Sequence, residues 1–105
     1  MTDEQENQLI RESGRGAKAN AFLSSEIYRD AVTKLEAGII ESWKSSPVRD
    51  VEGQTYLRLM MKVLSDFQAH IKDIAQTGKM ASVQLEHERS LAERARSAVR
   101  EFRRV

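Results

Sequence analysis

The chain has 105 residues, 40% of them hydrophobic and 31% charged, with a formal net charge of +1 and no cysteine. This length allows one domain at most, and a compact fold of this size buries only about 60–65% of its unfolded surface, so any core must be small. Near-neutral charge argues against a surface that grips nucleic acid all over. The missing cysteines exclude disulfides, thiolate chemistry and cysteine zinc sites. No apolar run approaches the ~18–20 residues that span a bilayer, and the polar, acidic first residues are unlike a signal peptide. Charge is unevenly placed: Asp3, Glu4, Glu6 and Glu12 outweigh Arg11 and Arg15 at the start, whereas arginines outnumber glutamates after Leu85. An acidic head and a basic tail are more informative than the total.

Residues 1–13 read as a short helix, with Thr2 as cap and Gln5 reaching back in a capping box. Only Leu9 and Ile10 offer much to bury. Ser13-Gly14-Arg15-Gly16 is expected to break that helix, because two glycines so close favour turns. Residues 1–16 are therefore expected to form an acidic, mobile arm.

Residues 17–79 are expected to form the core. Ala17 to Leu23 reads as a separate short turn, since Ser24 and Ser25 are good N-caps just before Glu26. After them Ile27, Ala31, Leu35, Ile39 and Trp43 recur every four residues, and Tyr28, Val32 and Ile40 widen that face. Gly38 weakens a helix relative to alanine by up to ~1 kcal/mol, which a closely approaching backbone would explain. Ser45-Ser46-Pro47-Val48-Arg49 is a clear break, because proline disfavours helical geometry at Ser46 and removes a backbone donor. So short a connection makes the flanking helices antiparallel neighbours.

From Asp50 to Lys79, the residues Leu57, Met60, Leu64, Phe67, Ile71 and Ile74 fall at alternating three- and four-residue steps, the seam of a helix packed lengthwise on another. Asp50 can cap the start and Gly78 can end the helix in a left-handed conformation. Met61 and Leu59 lie outside this narrow seam, and Met60 and Met61 read as gap-fillers beside Phe67. Residues 80–105 carry a weaker stripe, Met80, Leu91, Ala95, Ala98 and Phe102, and are expected to form a basic C-terminal helix that either folds back or projects. The fold class is all-α: an antiparallel helical hairpin with additional terminal helical segments. Its apolar faces are wider than one neighbour can cover, so self-association is the default.

Little points to chemistry. His70 borders the seam and reads as a packed or half-exposed histidine, since no second ligand completes a metal cluster at helical spacing. His87 between Glu86 and Glu88 is a surface group, because adjacent helical residues point apart. Ser24, Ser25, Ser45 and Ser46 are explained by capping. Gly14 and Gly16 lack the lysine and hydroxyl of a phosphate loop. No catalytic, cofactor-binding or metal residue is assigned, and the protein is not expected to be an enzyme. Trp43 either plugs the turn end of the hairpin against Val48, Val51 or Leu57 or anchors an interface. With Leu57, Met60, Met61, Leu64, Phe67, Ile71 and Ile74 it makes up the candidate protein-contact set. Arg96, Arg100 and Arg103, with Arg89 and Arg104 near the edges, form a strip for phosphates or for an acidic protein partner.

Pro47-Val48-Arg49-Asp50-Val51-Glu52-Gly53, then Leu57-Arg58-Leu59-Met60-Met61-Lys62 and Ile74-Ala75-Gln76-Thr77-Gly78-Lys79-Met80-Ala81, resemble small helical proteins of tailed, notably short-tailed, bacteriophages, encoded among head and portal genes. Leu35-Glu36, Ile39-Ile40 and Trp43 fit the same pattern, and the resemblance covers roughly residues 17–85. It implies a virion component or assembly factor, near the portal or among ejected proteins, located in the virion or host cytoplasm. Its partners would be further copies and other phage structural proteins. Two alternatives stand beside it: a DNA-binding packaging or regulatory protein using the arginine-rich end, and a host-directed helical inhibitor.

Overall fold

The computed structural model describes the backbone of residues 1–104 and the side chains of residues 1–103. Among these the chain is all α-helical, in three helices: α1 (Asp3–Ser24), α2 (Glu26–Ser45) and α3 (Val51–Arg104). It forms two compact units. One holds residues 1–18 together with residues from 74 onward, and the other holds Ala19–Asp73.

Local chemistry sets most of the helix ends. Thr2 N–H donates to Gln5 Oε1 at 3.0 Å and Gln5 N–H donates to Thr2 Oγ1 at 3.1 Å, a reciprocal capping box that starts α1. Acidic Asp3, Glu4 and Glu6 fill the first turn of α1, where the helix dipole favours negative charge. A single extended residue, Ser25, separates α1 from α2. Its hydroxyl accepts from Tyr28 N–H, and its own N–H donates to Phe22 O at 3.1 Å. Ser46 ends α2 in an extended conformation, as a residue before proline must. Asp50 starts α3 by accepting from Gly53 N–H at 2.9 Å, while Gln54 Nε2 donates to Pro47 O across the turn.

In the unit Ala19–Asp73, α2 and the first part of α3 form the antiparallel hairpin. Ile40 and Trp43 at the end of α2 lie beside Val51, Thr55 and Arg58 at the start of α3, and Lys34 and Leu35 lie beside Met60. Ile39 is buried between the helices, and Leu57, Met61 and Leu64 are half-buried. Ala19, at the end of α1 in this unit, is also buried, and the Phe22 and Tyr28 rings pack at 4.5 Å across the Ser25 corner.

In the other unit α1 runs antiparallel to the later part of α3. Gly16 and Gly78 face each other there, backbone against backbone. A methyl group on Gly16 would collide with the Gly78 Cα and come within 3.1 Å of Ile74 O, and one on Gly78 would lie 2.7 Å from Glu12 O. Next to this crossing the Ser13 and Ser82 hydroxyls hydrogen-bond at 2.5 Å. Ala81 and Leu85 are buried on α3, and Leu9 is half-buried on α1.

This crossing corrects three expectations. Ser13-Gly14-Arg15-Gly16 does not break the helix, and Ala17–Leu23 is not a separate turn, because α1 is continuous through both. Gly78 does not end a helix, because α3 runs through it with no residue at positive φ. The boundaries expected at residues 16/17 and 79/80 therefore fall inside continuous helices. Gly16 and Gly78 are glycines because no Cβ fits between the helices, which is the other reason a helix tolerates one.

The two kinds of helical glycine make opposite predictions. Gly78→Ala should lower stability by about 2 kcal/mol, overpacking outweighing the gain in helix propensity. Gly14→Ala, where a methyl meets nothing within 4 Å, should raise stability by up to ~1 kcal/mol. Urea unfolding followed by circular dichroism at matched concentration checks both. A Gly78→Ala midpoint at or above wild type would mean that the helices separate at no cost.

Candidate interaction surfaces

The α2–α3 hairpin has a groove on each side, with Ile39 and Leu57 common to both. The first, about 440 Å³, is walled by Ile40 and Trp43 of α2 and by Val51, Gln54, Arg58 and Met61 of α3. The second, about 360 Å³, is formed by Leu35, Gly38 and Ser42 of α2 and Met60 of α3, with Lys34 at its edge. Trp43 is 56% exposed. It sits beside Val51 at the turn end without being enclosed there, so it does not serve as a buried plug.

The structure divides the expected seam in two. Leu57, Met61, Leu64, Ile71 and Ile74 are half-buried, along with Gln68. Met60 and Phe67, expected in the seam, are 51% and 50% exposed, and Met61, expected outside it, takes an inward position. The two sets are one residue out of step: 57, 61, 64, 68 and 71 face in. Tyr56, Met60, Val63 and Phe67 form a parallel stripe on the outside, all of them exposed. Both rows fit the same three-and-four spacing, and polar Gln68 in the inner one makes hydrophobic periodicity favour Phe67 instead.

Many large apolar side chains are uncovered within each unit. Among the described residues, Ala19, Ile39, Ala81 and Leu85 are the only buried apolar side chains, while Ile27, Leu35, Leu59, Val63 and Val83 stand among many exposed ones. Exposed apolar side chains in such numbers mark interaction sites or aggregation liabilities.

At the basic end, every described side chain from Arg89 to Arg103 is exposed. Glu93 lies 3.6 Å from Arg100 and 4.0 Å from Arg96, so it offsets part of the strip. Both pairs are solvent-exposed and are worth little to stability. Arg89 and Arg103 have no ion-pair partner among the described residues. The side chain of Arg104, also assigned to this strip, lies outside the described residues.

His70 and His87 are both exposed. No group of three or more histidine, aspartate or glutamate side chains is placed to hold a metal among the described residues. The serines at helix ends are engaged locally: Ser24 and Ser45 donate to carbonyls one turn back, and Ser46 donates to Trp43 O at 2.7 Å. No described helix is long and apolar enough to cross a membrane.

Hydrophobic spacing does not reveal the Gly16–Gly78 crossing, because it does not register small residues. A usable signal is present: Ser13, Gly16 and Ala19 recur every three residues, as do Ala75, Gly78 and Ala81. Comparison with protein-family models, curated proteins and solved structures finds no match for this chain.

Trp43→Ala tests the exposed placement of the single tryptophan. In dilute, unassociated chain it should cost under about 1 kcal/mol, against 3–5 kcal/mol for a fully buried tryptophan. Urea unfolding by circular dichroism reads the difference, and a loss in the upper range would place the ring in a core.

Proposed function

We propose that this chain works by binding, as a small helical structural or assembly protein that associates with itself and docks on other proteins. The observation that carries this reading is the apolar surface left open beside so small a core: Ile27, Leu35, Trp43, Met60, Val63 and Phe67 are all exposed. Solvating such stripes is unfavourable by roughly 25 cal/mol per Å², and a neighbouring copy removes that penalty. The resemblance to helical proteins from the head and portal region of tailed bacteriophages supplies a setting. Other phage structural proteins would then be its partners, in the virion or in the host cytoplasm before assembly.

Light scattering across a dilution series at two salt concentrations tests this. A mass above that of one chain, falling only on dilution and changing little with salt, is expected for contacts that are mainly apolar. A folded monomer at every concentration overturns the reading.

The exposed basic end supports a second reading, in which the same protein contacts DNA during packaging or regulation. Four arginines neutralising four phosphates would weaken duplex binding about a hundredfold between 50 and 200 mM salt. Replacing Arg96, Arg100 and Arg103 together by alanine should abolish most of that salt dependence in a fluorescence-anisotropy titration. Binding that ignores both salt and substitution would exclude it.

A further inference from the structure

Gly38 lies in the middle of α2, where glycine weakens a helix relative to alanine. Gly16 and Gly78 are explained by their own crossing, but a methyl group on Gly38 would meet nothing within 4 Å. Gly14 is equally open, yet it is flanked by Arg11, Arg15 and Lys18 on α1, whereas Gly38 lines an apolar groove between Leu35, Ser42 and Met60. The face continues along α2 through Ala31 to Ile27, which is 82% exposed. A helix-interior glycine is the feature this chain uses elsewhere to bring two helix backbones together.

The charges around Gly38 indicate what approaches. Lys34 lies four residues before it and Glu41 three after, both exposed and neither with an ion-pair partner among the described residues. Two identical helices crossing antiparallel at Gly38 would set Lys34 of each opposite Glu41 of the other, and two-fold symmetry makes that pairing twice. A face with one charge on each side of its centre is complementary to itself in this orientation.

We propose that α2 pairs antiparallel with α2 of a second copy, the backbones meeting at Gly38 and the Leu35–Ser42–Met60 groove closing around the crossing. This rests on the self-association proposed above and assigns its interface. The groove holding Trp43 stays free for a further partner.

The test is analytical ultracentrifugation of the full chain, wild type and variants, over a hundredfold concentration range. Gly38→Leu should weaken association at least tenfold, while circular dichroism at low concentration shows helicity and a thermal midpoint no lower than wild type. Gly14→Leu, at the other open glycine, should leave association unchanged. Lys34→Glu and Glu41→Lys should each weaken association, and the double exchange should restore it. A wild-type chain that is monomeric throughout overturns self-association itself. A wild type that associates, with Gly38→Leu associating equally well, overturns only this interface, as does a double exchange that fails to recover.

Discussion

The contact between Gly16 and Gly78 is the constraint on which the unit built from α1 and the later part of α3 depends. Two helix backbones meet there without side chains between them, and such closeness is possible at only one register. A shift by one residue along either helix would bring Arg15, Ala17, Thr77 or Lys79 to the crossing, and none of these fits. Ser13 and Ser82 hydrogen-bond beside it, and Ala81 is buried one turn further along α3. Close approach replaces bulk here: dispersion between backbones and small side chains substitutes for interlocking leucines. The same contact explains why both helices continue through glycines that would otherwise invite a turn.

The hairpin unit is held differently. Ile39 and the half-buried Leu57, Met61 and Leu64 lie along the facing sides of two helices, and the Pro47 turn, with the caps at Ser46 and Asp50, sets their direction. Two helices enclose few side chains, and this pair buries Ile39 while Leu35, Trp43, Met60 and Phe67 remain in solvent. A chain with 40% hydrophobic residues has apolar side chains to spare once so thin an interior is filled. That surplus is the physical root of the proposed association. It also explains why grooves here occur beside helix pairs, where a further helix could lie.

At the basic end, the arginines do not act as a uniform positive strip. Glu93 stands close enough to Arg96 and Arg100 to offset them in part, and the remaining charge is carried by residues such as Arg89 and Arg103. Apolar Leu91, Val99 and Phe102 are exposed along the same stretch. Its chemistry is therefore mixed, with cationic and apolar side chains standing together in solvent.

What the sequence by itself determined was local. The all-α class, the capping box at Thr2 and Gln5, the N-caps at Ser25 and Asp50, and the proline break between antiparallel helices all follow from groups within a few residues of one another. Hydrophobic periodicity also identified Leu57, Leu64, Ile71 and Ile74 as inward-facing. Only the tertiary structure decided the rest. It turned Gly16 and Gly78 from helix breakers into a helix crossing, because the meaning of a glycine depends on whether another backbone occupies the space its side chain leaves. It also chose Met61 over Met60 and Gln68 over Phe67 for the inner face. Met60 and Met61 are equivalent until a neighbouring helix comes down on one side, and polar Gln68 faces inward in place of Phe67 against hydrophobicity itself, so the local pattern names neither.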